Sequence, residues 1–135
     1  MTTPSAPHLP AEFEIPSDED GAAVREGRHH VRKLAESVLG AGPAAEDAEL
    51  AAAELITNAR DHGSGSIGVV VRGGHGRFMV EVTNDVRSRD DTAPPSIKEP
   101  CDFGRGLFII QELATRGGLA FDEGVVTAWF EIEHP

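Results

Sequence analysis

The stretch from Arg77 to Asn84 alternates more clearly than any other part of this chain. Phe78, Val80 and Val82 fall on one side, and Arg77, Met79, Glu81 and Thr83 on the other. Successive side chains of an extended strand point to opposite faces, so this pattern requires a sheet strand with one buried face. Continuing the alternation puts Asn84 on the buried face. Ile67 to Arg72 reads as a second, buried strand, joined to the first by a hairpin loop at Gly73-Gly74-His75-Gly76. Leu119-Ala120-Phe121 and Val125 to Ile132 read as another hairpin across Asp122-Glu123-Gly124, with Trp129 in the core. Glu12-Phe13-Glu14-Ile15 alternates as a short half-buried strand, and Pro16 ends it.

Two helices stand between these strands. The first is expected from about Gly21 to Leu39, with Val24, Val31, Leu34, Ala35 and Val38 as its apolar stripe. Ser17 and Asp20 offer capping chemistry before it, and Asp18-Glu19-Asp20 suits its positive end. His29 and His30 are neighbours and point in different directions, so they read as surface residues. After a break at Gly40 to Pro43, the second helix is expected from Glu46 to His62, with Leu50, Ala51, Leu55 and Ala59 on its apolar side. Glu54 and Asn58 are four residues apart and share one helical face, which His62 continues. Gly63 ends that helix, and Ser64-Gly65-Ser66 reads as a turn. A carboxylate and a carboxamide stacked beside a core are costly unless something binds them. A divalent cation carrying phosphates would do so, because hard cations take oxygen ligands.

From Asp85 to Phe103 no periodicity survives; three prolines and Cys101 fall in this stretch. A loop of this length inside one domain reads as a lid or a binding loop. Gly104-Arg105-Gly106 then opens a helix with Leu107, Ile110, Leu113 and Ala114 on its core side, and Arg116-Gly117-Gly118 is expected to end it. Amides of a glycine-rich helix start can cradle phosphate oxygens with no side chain in the way.

The chain has 135 residues, enough for one domain and one core. Residues 1–10 read as a disordered lead-in and 11–135 as the domain, with the lid at about 85–103. A formal net charge of -11 argues against a nucleic-acid surface and against anionic membranes, since both require clustered Lys and Arg. A single cysteine, Cys101, leaves no internal disulfide and no cysteine zinc cage. No basic start is followed by an apolar block, so no signal peptide is expected, and a cytoplasmic location is the simplest expectation.

In order, then, the chain carries a Glu/Asn helix, a strand ending in a carboxamide, a long loop and a Gly-Arg-Gly helix start. This arrangement resembles the GHKL (histidine-kinase-like) ATPase superfamily with the Bergerat fold. More narrowly, it resembles bacterial anti-sigma factors that are also serine-protein kinases. Glu54-Leu55-Ile56-Thr57-Asn58-Ala59-Arg60-Asp61-His62-Gly63 is similar to that family's N box. Val80-Glu81-Val82-Thr83-Asn84 is similar to its first glycine box, Gly104-Arg105-Gly106-Leu107 to its second, and Thr127-Ala128-Trp129-Phe130 to its closing strand. The resemblance implies an α+β fold, a two-layer α/β sandwich with a mixed, mostly antiparallel sheet covered by helices on one face.

It also implies roles. Asn58 would ligate Mg2+, and Glu54 would be the general base that draws the proton from a partner's serine as it attacks the γ-phosphate of ATP. Gly104, Arg105, Gly106 and Leu107 would bind phosphates, and His62 would lie near the same cavity. The expected partners are a sigma factor and an anti-sigma-factor antagonist, with a homodimer through the first strand and helix typical of the family. Two positions depart from the family's pattern. Asn84 stands where an adenine-reading aspartate is expected, and Val86 replaces a glycine. The Asn84 oxygen can accept from the adenine amino group and its NH2 can donate to a ring nitrogen, but it offers no charge. Asp85, one residue later, is the alternative reader. The second functional expectation is therefore a binding module of the same fold, which sequesters a sigma factor or antagonist with weak or no nucleotide binding.

Overall fold

The computed structural model describes residues 9–16, 21–86 and 109–133. The elements run β1 (Ala11–Ile15), α1 (Ala22–Leu39), α2 (Pro43–His62), β2 (Gly63–Gly74), β3 (Arg77–Val86), β4 (Arg116–Asp122) and β5 (Val125–Glu133), with a helical stretch at 109–113. The strands form one five-stranded sheet in the order β1-β2-β3-β5-β4, and every pairing is antiparallel.

Alternation decides which face is covered. Ile67, Val69 and Val71 of β2, Phe78, Val80 and Val82 of β3, and Ala128, Phe130 and Ile132 of β5 are buried in one cluster. Val31, Leu34, Ala35 and Leu39 of α1 and Ala45, Ala48, Ala51, Ala52, Leu55 and Ile56 of α2 complete it. Ile110, from the 109–113 stretch, belongs to the same cluster, so that stretch lies on the helical side of the sheet too. The result is the two-layer α+β arrangement that the resemblance implied.

The opposite sheet face is polar. Arg72 pairs with Glu81 at 3.1 Å, and Arg77 and Arg116 both reach Glu131, at 3.0 and 2.6 Å. The Arg116 guanidinium, hydrogen-bonded to Glu131, holds that carboxyl below its usual range, and Arg77 adds to the effect. Trp129 lies on this face. It is half-buried rather than a core residue, because strict alternation in β5 gives the core to its neighbours Ala128 and Phe130.

Several boundaries differ from those expected. α2 begins at Pro43, three residues early, since the missing N–H of a proline costs nothing in a first helical turn. Leu50 is 50% exposed; the buried stripe of α2 consists of alanines with Leu55 and Ile56. Ser64, Gly65 and Ser66 form the start of β2 rather than a turn. The register against β3 shifts between Ser64 and Gly68, and Gly65 has φ 78°, the mark of a bulge. Gly73 and Gly74 also belong to β2, so the first hairpin turns on His75 and Gly76 alone, with φ 55° and 76°. Glu123 and Gly124 make the second turn in the same way, with φ 54° and 82°. Arg116, Gly117 and Gly118 lie in β4 and do not end a helix. β3 runs on to Val86, so Asp85 and Val86 are strand residues rather than the start of the lid. Leu9, expected in the lead-in, packs against the core.

Candidate functional site

The last turns of α2 lie beside the end of β3. Leu55 and Ile56 point into the core, at 2% and 0% exposure, and this fixes the rotation of the helix. Glu54 and Asn58 are then both half-buried at the edge of the core, one turn apart. The stacked acid and amide expected from the spacing are therefore in place. His62 is the last residue of α2.

Asn58 carries an orphaned donor. Its Nδ2 is buried and has no hydrogen-bond partner. A buried amide nitrogen without an acceptor costs about 1–3 kcal/mol, and native proteins keep such atoms where a ligand or water answers them. The same side chain carries an oxygen suited to a hard cation. Mg2+ retains phosphate and water ligands and needs only one or two oxygens from the protein, so Asn58 beside Glu54 fits it. Among the described residues no group of three or more His, Cys, Asp or Glu could hold a metal by itself.

Asn84 is the one buried polar residue among the described ones, 8% exposed, and it sits at the covered end of β3 as the alternation requires. Its Nδ2 donates to the backbone oxygen of Ala59 at 2.9 Å. A carbonyl oxygen only accepts, so the contact fixes which end of the carboxamide faces the helix. The contact uses one of the two N–H donors of the Asn84 amide, the group expected to meet a ring nitrogen. Ala59 was not foreseen as part of the site, because a backbone carbonyl leaves no mark in the residue types. Asp85 is exposed, and by strand alternation it lies on the opposite face from Asn84. The structure therefore sets Asn84 against Ala59, the residue after Asn58, and puts Asp85 on the other face of the sheet. Gly104, Arg105, Gly106, Leu107 and Cys101 lie outside the described residues, as do positions 87–103 of the expected lid and the side chain of His62.

The model of the histidine kinase-like ATPase domain matches residues 16–124, most of the chain. The chain belongs to this family. No curated protein matches it. Among solved structures, the RsbU and RsbW domains of Rv1364c from Mycobacterium tuberculosis superpose with a TM-score of 0.65 at 20% identity, over 95% of this chain. This chain spans only 32% of that one. The SiaB–SiaC complex from Pseudomonas aeruginosa gives a TM-score of 0.62 at 18% identity, covering 90% of this chain and 88% of the other. At these identities the likeness shows a shared fold. Within the histidine kinase-like ATPase fold, the Asn84–Ala59 bond is where α2 meets the end of a central strand. No helix among the described residues is long and apolar enough to cross a membrane.

Proposed function

We propose that this protein is an ATP-binding anti-sigma factor that phosphorylates a serine of an anti-sigma-factor antagonist, in a switch where antagonist and sigma factor compete for it. The observation that carries this reading is the buried, unanswered Nδ2 of Asn58, one helical turn from the Glu54 carboxylate. Both fold neighbours support it by their names: one contains an RsbW domain, and the other was solved as a complex of two proteins.

In the proposed reaction Asn58 holds the nucleotide through its oxygen and its amide together. Mg2+, when bound there, neutralises phosphate charge and orients the γ-phosphoryl group. Glu54 accepts the serine proton as the serine oxygen forms its bond to the γ-phosphorus and the bond to the β-phosphate oxygen breaks. ADP leaves, and the antagonist carries the phosphate. Asn84 offers Oδ1 to an amino group on the base, and Gly104, Arg105, Gly106 and Leu107 take phosphate oxygens, with the 87–103 segment as the lid. The antagonist's added charge then biases the competition for the shared surface.

A radiolabel-transfer assay with a candidate antagonist tests the proposal. Glu54→Ala should abolish transfer and leave ATP binding intact; undiminished transfer would remove Glu54 as the base. One observation favours a second reading, a binding module of the same fold without phosphotransfer. Asn84 is uncharged, and one of its two N–H donors is already engaged with Ala59. Calorimetry separates the two readings: no heat at millimolar Mg2+–ATP would favour the module, and micromolar binding would count against it.

A further inference from the structure

At position 84 the obvious improvement is the residue that the family pattern would supply, an aspartate. The geometry of this chain argues the reverse. We propose that Asn84 is a positioning residue, whose amide nitrogen ties the last turn of α2 to β3 and thereby holds Asn58 in place. Replacing it with aspartate would loosen the nucleotide site rather than strengthen it. This inference rests on the reading of Asn58 as the Mg2+–nucleotide ligand.

The last four carbonyls of a helix have no partner within it, and Ala59 is among them because α2 ends at His62. Asn84 supplies the missing donor to the Ala59 oxygen at 2.9 Å, from a side chain 8% exposed. Ala59 directly follows Asn58, so the bond anchors the peptide next to the proposed ligand. A carboxylate of the same shape has only acceptors. Placed 2.9 Å from a carbonyl oxygen, it would have to swing away, leaving that carbonyl unanswered. An aspartate can serve at such a position only where the helix end is satisfied by another donor. In this chain the bond from Asn84 reaches across from β3, a strand 25 residues away in sequence. One carboxamide on β3 thus ties the two layers together through its nitrogen.

The test compares wild type, Asn84→Asp and Asn84→Ala in the full chain. The alanine variant removes the donor without adding charge, and it keeps the test usable if the aspartate variant fails to fold. Hydrogen exchange of the amides at residues 59–63 is followed without nucleotide. Binding of ATP is then titrated across Mg2+ concentrations. The expected result is exchange at least tenfold faster in both variants, locally rather than throughout the sheet. For Asn84→Asp, the Mg2+ concentration that half-saturates ATP binding should rise at least fivefold. A merely structural role would leave that Mg2+ dependence unchanged in the folded protein. Unchanged exchange, or tighter ATP binding by Asn84→Asp, would overturn the proposal. If wild type binds no nucleotide, the functional reading fails by itself and the exchange data alone decide the tie.

Discussion

Replacing Asn58 with leucine should make this protein more stable and unable to bind nucleotide. The side chain is half-buried, and its Nδ2 is buried without a partner. Leucine has a similar volume and no polar atom to satisfy. Removing the orphaned donor recovers about 1–3 kcal/mol. Leucine is also the better helix former, by a few tenths of a kcal/mol. For a domain of this size each kcal/mol moves Tm by roughly 4 °C, so Asn58→Leu should melt about 4–12 °C above wild type. Saturating Mg2+–ATP should then close the gap. At a ligand concentration of 100 Kd the wild type gains about 2.7 kcal/mol, and the variant gains nothing. Thermal melts with and without Mg2+–ATP read both effects at once. A variant that melts below wild type in the absence of nucleotide would refute the reasoning, because it would mean that Nδ2 is already satisfied in the free protein.

Two other perturbations probe the scaffold. At Gly27 a Cβ would stand 2.6 Å from Cδ1 of Ile15, so Gly27→Ala should cost about 1–3 kcal/mol in overpacking against a gain of about 1 in helix propensity. Urea denaturation should show a net loss that Ile15→Val, by removing Cδ1, largely relieves; additive effects would show that α1 and β1 do not meet there. The second concerns pH. Arg116 lowers the folded pKa of Glu131 from its ordinary 4.5, so the pair contributes stability above that value and loses it as pH falls through the lowered one. Arg116→Gln should therefore be less stable than wild type by a constant margin at neutral pH, and the margin should shrink below about pH 4.5. A margin that grows on acidification would contradict the assignment.

What the sequence revealed follows from which forces leave a mark in residue types. The period-two pattern of Phe78, Val80 and Val82 and the four-residue step from Glu54 to Asn58 record burial, and both appear where expected. Glycines are ambiguous in a sequence, because a glycine that breaks structure and one that permits close approach look alike. Gly117 and Gly118 were expected to end a helix. In the fold a Cβ at Gly117 would lie 2.9 Å from the Trp129 oxygen, and one at Gly118 would lie 2.9 Å from the indole nitrogen. Both are strand residues made small by the neighbouring strand. Trp129 is expected in the core, yet the register of β5 turns it to the polar face, over Gly118. The Asn84–Ala59 bond was invisible for a different reason, since half of it is backbone. It changes what Asn84 can offer to a ligand, which the residue type alone could not.

The central claim is that Asn58 and Glu54 form one wall of a site for Mg2+-bound ATP. Isothermal titration of ATP with Mg2+ into wild type and Asn58→Ala tests it most directly. The account predicts micromolar binding by wild type, and at least tenfold weaker binding by the variant. Equal affinities would place the nucleotide elsewhere, and the absence of heat at millimolar ATP would mean that this wall serves no nucleotide at all.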